Sequence, residues 1–292
     1  MSGAFSTQAV ARSFSAASRR YDDVAILQTL VREELLSRLS LLRATPRAVL
    51  DLGAGTGLGA LALKRAFPRA RVTATDLSAA MLQQARRHSR FWRPIRCIEA
   101  DARSLPIETA SVDLVFTSLM LQWVDPLDDA LVEIRRVLKP GGLMLASSFG
   151  PFTLQELRAA WAEADAGVHV NDFVDMHDFG SALQRAGFSE PVLDVDRHLR
   201  HYADAATLMR EIKAIGAHNV RAERRRGLTG RGALQRMDAA YEKLRGPQGL
   251  PATWQVVHAV AWAPEHAQVM EPAPGEFHIG LEQLRGSLKN RK

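Results

Sequence analysis

The 292-residue sequence has one cysteine and no apolar stretch approaching the roughly 18 residues that a membrane-spanning helix needs. The single thiol, Cys97, excludes an intrachain disulfide framework and a zinc site of several cysteines, and we expect it to be a buried core residue. The histidines at 88, 169, 177 and 218 show no metal-ligand spacing, so no metal site is predicted. The composition, 47% hydrophobic and 24% charged, is that of an ordinary globular protein, and the length allows one large domain or one domain plus a sizeable insertion.

Acidic residues are missing from residues 1–20, which contain Arg12, Arg19, Arg20 and several serines. A mitochondrial transit peptide is one interpretation of such a segment. We favour an N-terminal helix that contributes to function, and we expect no secretory signal because no compact apolar core follows a basic start. A cytoplasmic location is therefore predicted.

The positive charge is concentrated in one segment of the chain. Residues 211–245 hold nine basic and four acidic residues, which accounts for most of the formal net charge of +6. A solvated face is the ordinary explanation, and a docking surface for an acidic protein is the functional one. Nucleic acid is not expected as a partner, because aromatic residues do not interleave with the arginines and no known nucleic-acid module surrounds them.

Short apolar runs alternate with helical patterns of ten or more residues through residues 48–149. This alternation predicts a doubly wound α/β fold with a parallel sheet, in which ligands bind at the carboxyl ends of the strands. After residue 150 the rhythm changes to further helices and two more strands, near 190–201 and 251–262. The predicted divisions are a helical lid at 1–45, a cofactor-binding core at 46–150, a substrate and partner region completing the sheet at 151–264, and a loose tail at 265–292.

A glycine-rich turn follows the first predicted strand and precedes a helix. It begins at Asp51 and contains Gly53, Gly55 and Gly57, where missing side chains permit a sharp bend and a close approach of backbone to ligand. The helix start behind it offers free N–H groups and the positive end of a dipole. A nicotinamide or flavin fold would favour glycine at position 58, which is Leu58 here, so the turn predicts a different nucleotide-like cofactor.

The spacing D-x-G-x-G-x-G, the acids that end the next two strands, and the segments 112–116 and 138–142 together resemble the class I S-adenosylmethionine-dependent methyltransferases, which have a Rossmann-like fold. The resemblance implies that the acid and backbone of the turn hold the amino-acid part of S-adenosylmethionine, and that the next two acids meet the ribose and the adenine. A helix cap is the simpler role for Asp76. The cofactor-binding candidates are Asp51, Gly53, Ala54, Gly55, Gly57, Asp76, Leu77, Asp101, Ala102 and Leu119.

Segments outside this core resemble the malonyl-[acyl-carrier protein] O-methyltransferase family of biotin synthesis. They lie at 20–28, 121–123, 149–157, 213–219, 226–230 and 250–253, and the resemblance runs from about residue 10 to 262. It implies methyl ester formation on the free carboxylate of a malonyl thioester, which is already deprotonated and needs no catalytic base. It also implies an acidic acyl-carrier protein as partner, which would dock on Arg221, Arg224, Arg225, Arg226 and Arg231.

The substrate candidates are Tyr21, Trp123, Lys213 and Asn219, and each also has a simpler role. In these simpler roles, Tyr21 packs a helix, Trp123 is a core aromatic residue, Lys213 is solvated and Asn219 caps a helix end. Three functions compete with the malonyl enzyme: an arginine hydroxylase that assembles respiratory complex I, a quinone-type C-methyltransferase, and a non-catalytic module that binds the cofactor and a protein.

Overall fold

The computed structural model describes residues 6–42, 44–217 and 230–265, in which seven strands form one sheet flanked by helices. The strand order is β3-β2-β1-β4-β5-β7-β6, with β1 to β5 parallel and β7 antiparallel to both of its neighbours. The strands are β1 (Ala48–Leu52), β2 (Arg71–Asp76), β3 (Ile95–Glu99), β4 (Val112–Ser118), β5 (Leu138–Phe149), β6 (Ser189–Tyr202) and β7 (Leu250–Trp262). The helices are α1 (Thr7–Ala17), α2 (Tyr21–Val24), α3 (Ile26–Leu41), α4 (Leu58–Ala66), α5 (Ala79–Ala85), α6 (Leu127–Val137), α7 (Gln155–Ala164), α8 (Met176–Arg185), α9 (Ala205–Ala214) and α10 (Arg231–Glu242).

The burial of each strand follows from its place in the sheet. All five residues of β1 are buried, because helices cover both faces of this central strand. At the edge, β6 alternates between more and less exposed residues, because one of its faces meets solvent. Helix α6 buries Ala130, Ile134 and Val137 at helical spacing, and the acids at 128 and 129 in its first turn favour the positive end of the helix dipole.

The predicted alternation of strands and helices over residues 48–149 is confirmed, and so is the parallel arrangement of those strands. Two details differ from the prediction. Apolar residues at helical spacing over 22–43 predict one helix, but the structure interrupts it at Ala25, whose ψ of 51° lies outside the helical region. The sequence predicts a helix to Leu138, a turn at 139–142 and a strand from Leu143, but strand β5 already begins at Leu138, because Val112 pairs with Leu138 before the register shifts.

Helices α1 and α2 lie over the carboxyl edge of the parallel strands. The Ser15 and Ser78 hydroxyl oxygens are 2.8 Å apart, which joins α1 to the start of α5. The Thr56 hydroxyl donates to Asp22 Oδ1 at 2.6 Å, which joins α2 to the glycine turn. Within the described ranges no helix has both the length and the apolar character required to cross a membrane.

Candidate active site

A cleft opens where the strand order reverses, between β1 and β4. In open α/β sheets this reversal leaves a crevice at the carboxyl ends of the strands, where ligands bind. The cleft has about 870 Å³ of empty space, part of it open to solvent, which is within the range of small-molecule sites. Seven of the predicted cofactor-binding residues line it: Gly53, Gly55, Asp76, Leu77, Asp101, Ala102 and Leu119.

The three glycines of the turn all have left-handed backbone, with φ of 71° at Gly53, 55° at Gly55 and 85° at Gly57. A Cβ atom on Gly55 would meet nothing within 4 Å, so the backbone there borders open space. A Cβ atom on Gly57 would lie 2.6 Å from the Ala85 Cβ, and this glycine begins α4 without lining the cleft. The structure therefore places Gly57 at a helix contact, whereas Gly53 and Gly55 border the cleft.

Asp76 ends β2 and organises the turn. Its Oδ2 accepts the Gly55 N–H at 2.8 Å and its Oδ1 accepts the Ser78 N–H at 2.8 Å. Burial raises the pKa of this carboxyl, although both backbone hydrogen bonds favour its ionised form. Each carboxylate oxygen has a further lone pair, so Asp76 can accept hydrogen bonds from a ligand while it holds the turn.

Asp51 lies at the end of β1, in an adjoining part of the cleft that Ala54 and Arg32 also line. Burial raises the pKa of Asp51 to about 7; the Ala60 N–H and Arg32 favour the charged form, and Asp76 opposes it. The Oδ2 atom is buried and has no hydrogen-bond partner in the described structure. A buried acceptor without a donor is costly, so this position suits a cationic hydrogen-bond donor from a ligand.

Asp101 follows β3 and is paired with Arg103. The guanidinium donates from Nε to Oδ1 at 3.1 Å and from Nη2 to Oδ2 at 2.8 Å, and these bonds lower the pKa of Asp101. Arg103 also donates to the Asp125 carbonyl at 3.0 Å and to the Thr7 hydroxyl at 2.8 Å. One side chain therefore joins the loops after β3 and β4 to helix α1. The sequence analysis missed this role of Arg103, for which the close spacing to Asp101 was the available signal.

Aromatic side chains form one wall of the cleft, which Tyr21 and Trp123 both line. Phe14 of α1 lies between them, with its ring centroid 5.4 Å from the Trp123 ring and 6.5 Å from the Tyr21 ring. Burial, with Asp76 and Asp22 nearby, raises the pKa of Tyr21, so its phenol is protonated at neutral pH. The structure thus brings two predicted substrate residues together through a phenylalanine that the sequence analysis did not single out.

Lys213 lies elsewhere, at a second cavity of about 1050 Å³ that is also partly open. Leu157, Trp161 and Asn171 line this cavity too, and the Asn171 Oδ1 is buried without a hydrogen-bond partner in the described structure. Lys213 is exposed near the end of α9. The predicted substrate residues are therefore divided between two cavities.

The remaining predicted partner residues have little structural description. Arg231 begins α10 and is exposed. The other residues of the predicted docking surface lie outside the described residues: Arg221, Arg224, Arg225 and Arg226. The substrate candidate Asn219 and residues 266–292, nearly all of the predicted tail, also lie outside them.

The cleft fits the cofactor that the sequence analysis inferred. A nucleoside with an amino-acid tail needs acceptors for hydroxyl and ammonium groups, apolar surface for a base, and a backbone that allows close approach. Asp76 and the unpartnered Asp51 Oδ2 are such acceptors, and the open space beside Gly55 permits the approach. The apolar surface comes from Leu77 and Leu119, which line the same cleft.

Comparison with known proteins identifies the family. A malonyl-[acyl-carrier protein] O-methyltransferase of Xylella fastidiosa (strain M23) is 47% identical over 266 residues, which covers 90% of this chain and 90% of the relative. The chain belongs to the malonyl-[acyl-carrier protein] O-methyltransferase family. The protein of the same name from Laribacter hongkongensis (strain HLHK9) is 46% identical over 263 residues, which covers 87% of this chain and 89% of that relative.

A domain model and a solved structure also match this chain, the solved structure in its fold alone. Residues 50–146 match the family model described as a methyltransferase domain. The crystal structure of the YcgJ protein from Bacillus subtilis shares the fold, with a TM-score of 0.57 at 16% identity over 80% of this chain and 99% of that one. The family member described here is an S-adenosylmethionine-dependent methyltransferase, so the predicted fold class, enzyme class and cofactor are confirmed.

Proposed function

We propose that this enzyme transfers the methyl group of S-adenosylmethionine to the free carboxylate of malonyl-[acyl-carrier protein], forming the methyl ester that starts biotin synthesis. The observation that carries this proposal is the 47% identity to a relative of that name over 90% of both chains. That likeness extends well beyond residues 50–146, the part that matches the general methyltransferase model. It therefore includes the flanking regions from which substrate contacts would come.

The residues that line the cleft suggest how the cofactor would be held. Asp76 and Leu77 would contact the ribose, Asp101 and Ala102 the adenine, and Asp51, Gly53, Ala54 and Gly55 the amino-acid part, with Leu119 as an apolar wall. Arg103 supports this arrangement indirectly, because it fixes Asp101 and ties α1 across the cleft. Gly57 would act through its contact with α5.

The proposed reaction requires little proton transfer by the protein. S-adenosylmethionine, when bound, supplies an electrophilic methyl group. A malonyl carboxylate is deprotonated at neutral pH, so the acceptor oxygen needs no base. Among the described residues that line the main cleft there is no histidine. We infer that the chain acts by alignment and by excluding water, with Tyr21 and Trp123 forming the wall beside the reacting carboxylate.

The carrier protein would be held by residues farther along the chain. We propose that the basic residues Arg221, Arg224, Arg225, Arg226 and Arg231 attract its acidic surface, and that Asn219 orients a carbonyl group of the substrate. Lys213 sits at a cavity separate from Tyr21 and Trp123, so we favour the phosphate of the carrier's arm over the reacting carboxylate as its partner. We also propose that residues 1–45 form a lid, and that the enzyme works in the cytoplasm.

Incubation with S-adenosylmethionine and a panel of malonyl-, succinyl- and acetyl-carrier proteins tests the proposal. Mass spectrometry should show one added methyl group on the malonyl form. The same addition should appear on a smaller fraction of the succinyl form, and not on the acetyl form, which has no free carboxylate. No methyl mass on the malonyl form, while calorimetry detects bound cofactor, would contradict the proposal and favour a binding module. An arginine hydroxylase would instead add oxygen to a protein, and a C-methyltransferase would give a product that releases no methanol in base.

A further inference from the structure

Two histidines and two carboxylates from three elements meet on the sheet face that α3 covers. Glu34 comes from α3, Asp196 and His198 from β6, and His258 from β7. Residues two apart on a strand share a face, and His258 pairs directly with Asp194 in the antiparallel register, so all the strand residues point the same way. The sequence analysis predicted no metal site from the spacing of four other histidines, and it did not consider His198 or His258.

Several polar atoms of this cluster have no hydrogen-bond partner. His258 is 1% exposed, and neither of its ring nitrogens is hydrogen-bonded in the described structure. Glu34 Oε2 and His198 Nε2 are likewise buried and unpaired. Such atoms are unfavourable in a folded protein unless something satisfies them. One possible ligand atom each from Glu34, Asp196 and His258 lies within 4.8 Å of the other two, which indicates a shared ligand.

The spacing of these atoms suits a metal ion. His258 Nε2 is 3.4 Å from Asp196 Oδ2 and 3.8 Å from Glu34 Oε2, and His198 Nε2 is 3.5 Å from Glu34 Oε2. Tetrahedral ligands at about 2.0–2.2 Å from zinc are roughly 3.3–3.6 Å apart. An N–H···O hydrogen bond is shorter, at about 2.7–3.2 Å. The 3.4 Å between His258 and Asp196 falls in the range for two ligands of one cation, and the 3.8 Å between His258 and Glu34 is too long for a hydrogen bond.

The charges around the cluster also favour a cation. Arg38 donates to Asp194 Oδ1 at 3.0 Å and to Asp196 Oδ2 at 2.9 Å. With Glu34, three carboxylates face one guanidinium, which leaves an excess of two negative charges that a divalent cation would balance.

We propose that Glu34, Asp196 and His258 bind one divalent transition-metal cation of the zinc class, with solvent in the fourth position. His198, whose Nε2 lies 3.5 Å from Glu34 Oε2, is a neighbour of that ligand. Imidazole and carboxylate ligands suit zinc, and cobalt can replace it in such geometry. Asp196 Oδ2 can face the cation with one lone pair while the other accepts from Arg38, as is usual for ligating carboxylates. Asp196 is 44% exposed, which leaves an entry path.

The site has a structural consequence for the cleft. Gln28 and Arg32, which line the part of the cleft beside Asp51, belong to the same helix as Glu34. A cation at Glu34 would fasten this helix to β6 and β7, and so hold that wall in place.

Cobalt titration of the full-length, tag-free enzyme tests the proposal, after treatment with a chelator and its removal. The wild type should bind one equivalent with the visible absorption of tetrahedral cobalt, and zinc should displace it. Glu34→Gln and Asp196→Asn should each weaken binding at least tenfold. Glu33→Gln, on the exposed neighbour in α3, and His201→Gln, on an exposed residue of β6, are the matched controls and should bind as the wild type does.

Thermal unfolding provides the second measurement. Zinc should raise the midpoint of the wild type and of both controls by several degrees, and leave the two cluster variants unchanged. Circular dichroism establishes that each variant is folded. The proposal is overturned if the wild type shows no tetrahedral cobalt spectrum, or if the cluster variants and the controls bind cobalt equally well.

Discussion

Removing the Asp76 carboxylate is the sharpest test of the cofactor site. This side chain lines the cleft and accepts hydrogen bonds from Gly55 and Ser78 N–H, both at 2.8 Å. The Asp76→Ala variant would lose the acceptors that we assign to the ribose hydroxyls. It would also release the backbone of Gly55, which borders the space where the cofactor would lie. Both effects act against cofactor binding.

The expected loss follows from the value of a hydrogen bond to a charged group, about 1.5–3 kcal/mol. At about 1.4 kcal/mol per factor of ten, this loss lowers the affinity for S-adenosylmethionine roughly 10- to 150-fold. Asp76→Asn should lie between the wild type and Asp76→Ala, because the amide retains one acceptor while its NH₂ group faces a backbone donor.

Titration calorimetry with S-adenosylmethionine measures this loss directly. The control is Asp113→Ala, which also removes backbone hydrogen bonds, from Arg47 and Ala48, but concerns a residue that does not line the cleft. Asp113→Ala should lower stability and leave the affinity unchanged. An unchanged affinity in Asp76→Ala would refute the reasoning, because it would mean that the ribose binds elsewhere.

Three further predictions concern the glycine turn, the buried acid beside it and the basic segment. Gly57→Ala should lower the unfolding temperature more than Gly55→Ala does. Both variants incur the strain of left-handed backbone, about 1–2 kcal/mol, but only an alanine at 57 clashes with α5. In calorimetry, Gly55→Ala should weaken cofactor binding more than Gly57→Ala does. The folded-state pKa of Asp51, about 7, is above its unfolded value, so the free energy of unfolding without cofactor should decrease as the pH rises from about 4 to 7. In urea unfolding, the decrease over this pH range should be smaller in Asp51→Asn by roughly 2–4 kcal/mol. An equal pH dependence in both proteins would contradict this assignment. Changing the arginines at 224–226 to glutamate should raise the KM for malonyl-carrier protein severalfold and leave that for malonyl-coenzyme A nearly unchanged in initial-rate assays, whereas equal effects would argue against docking there.

Local patterns made much of the cofactor site predictable. Asp76 could be placed at the cleft because it ends a short apolar run, and the carboxyl ends of parallel strands meet at one edge. The glycine turn was recognisable because few residues other than glycine adopt its backbone conformation. Both features depend on residues close together in the sequence, where the chain itself determines the geometry.

Contacts between distant segments were not predictable. Arg103 reaches Thr7, and Phe14 packs on Trp123, through the docking of α1, for which no repeating pattern in the sequence specifies a partner. Gly57 was grouped with the other two glycines by spacing alone, although the neighbour that matters for it is Ala85 of another helix. Such partners depend on how the helices pack.

The central claim is that the methyl group arrives on the malonyl carboxylate, and an isotopic label tests it directly. The enzyme is incubated with malonyl-carrier protein and S-adenosylmethionine that carries a deuterated methyl group. The intact carrier is weighed, and the deuterated methanol that mild base releases from it is then measured. We predict one deuterated methyl group per malonyl-carrier, released as methanol on hydrolysis of the ester. A carrier that gains no label, or a label that is not released as methanol, would contradict the account.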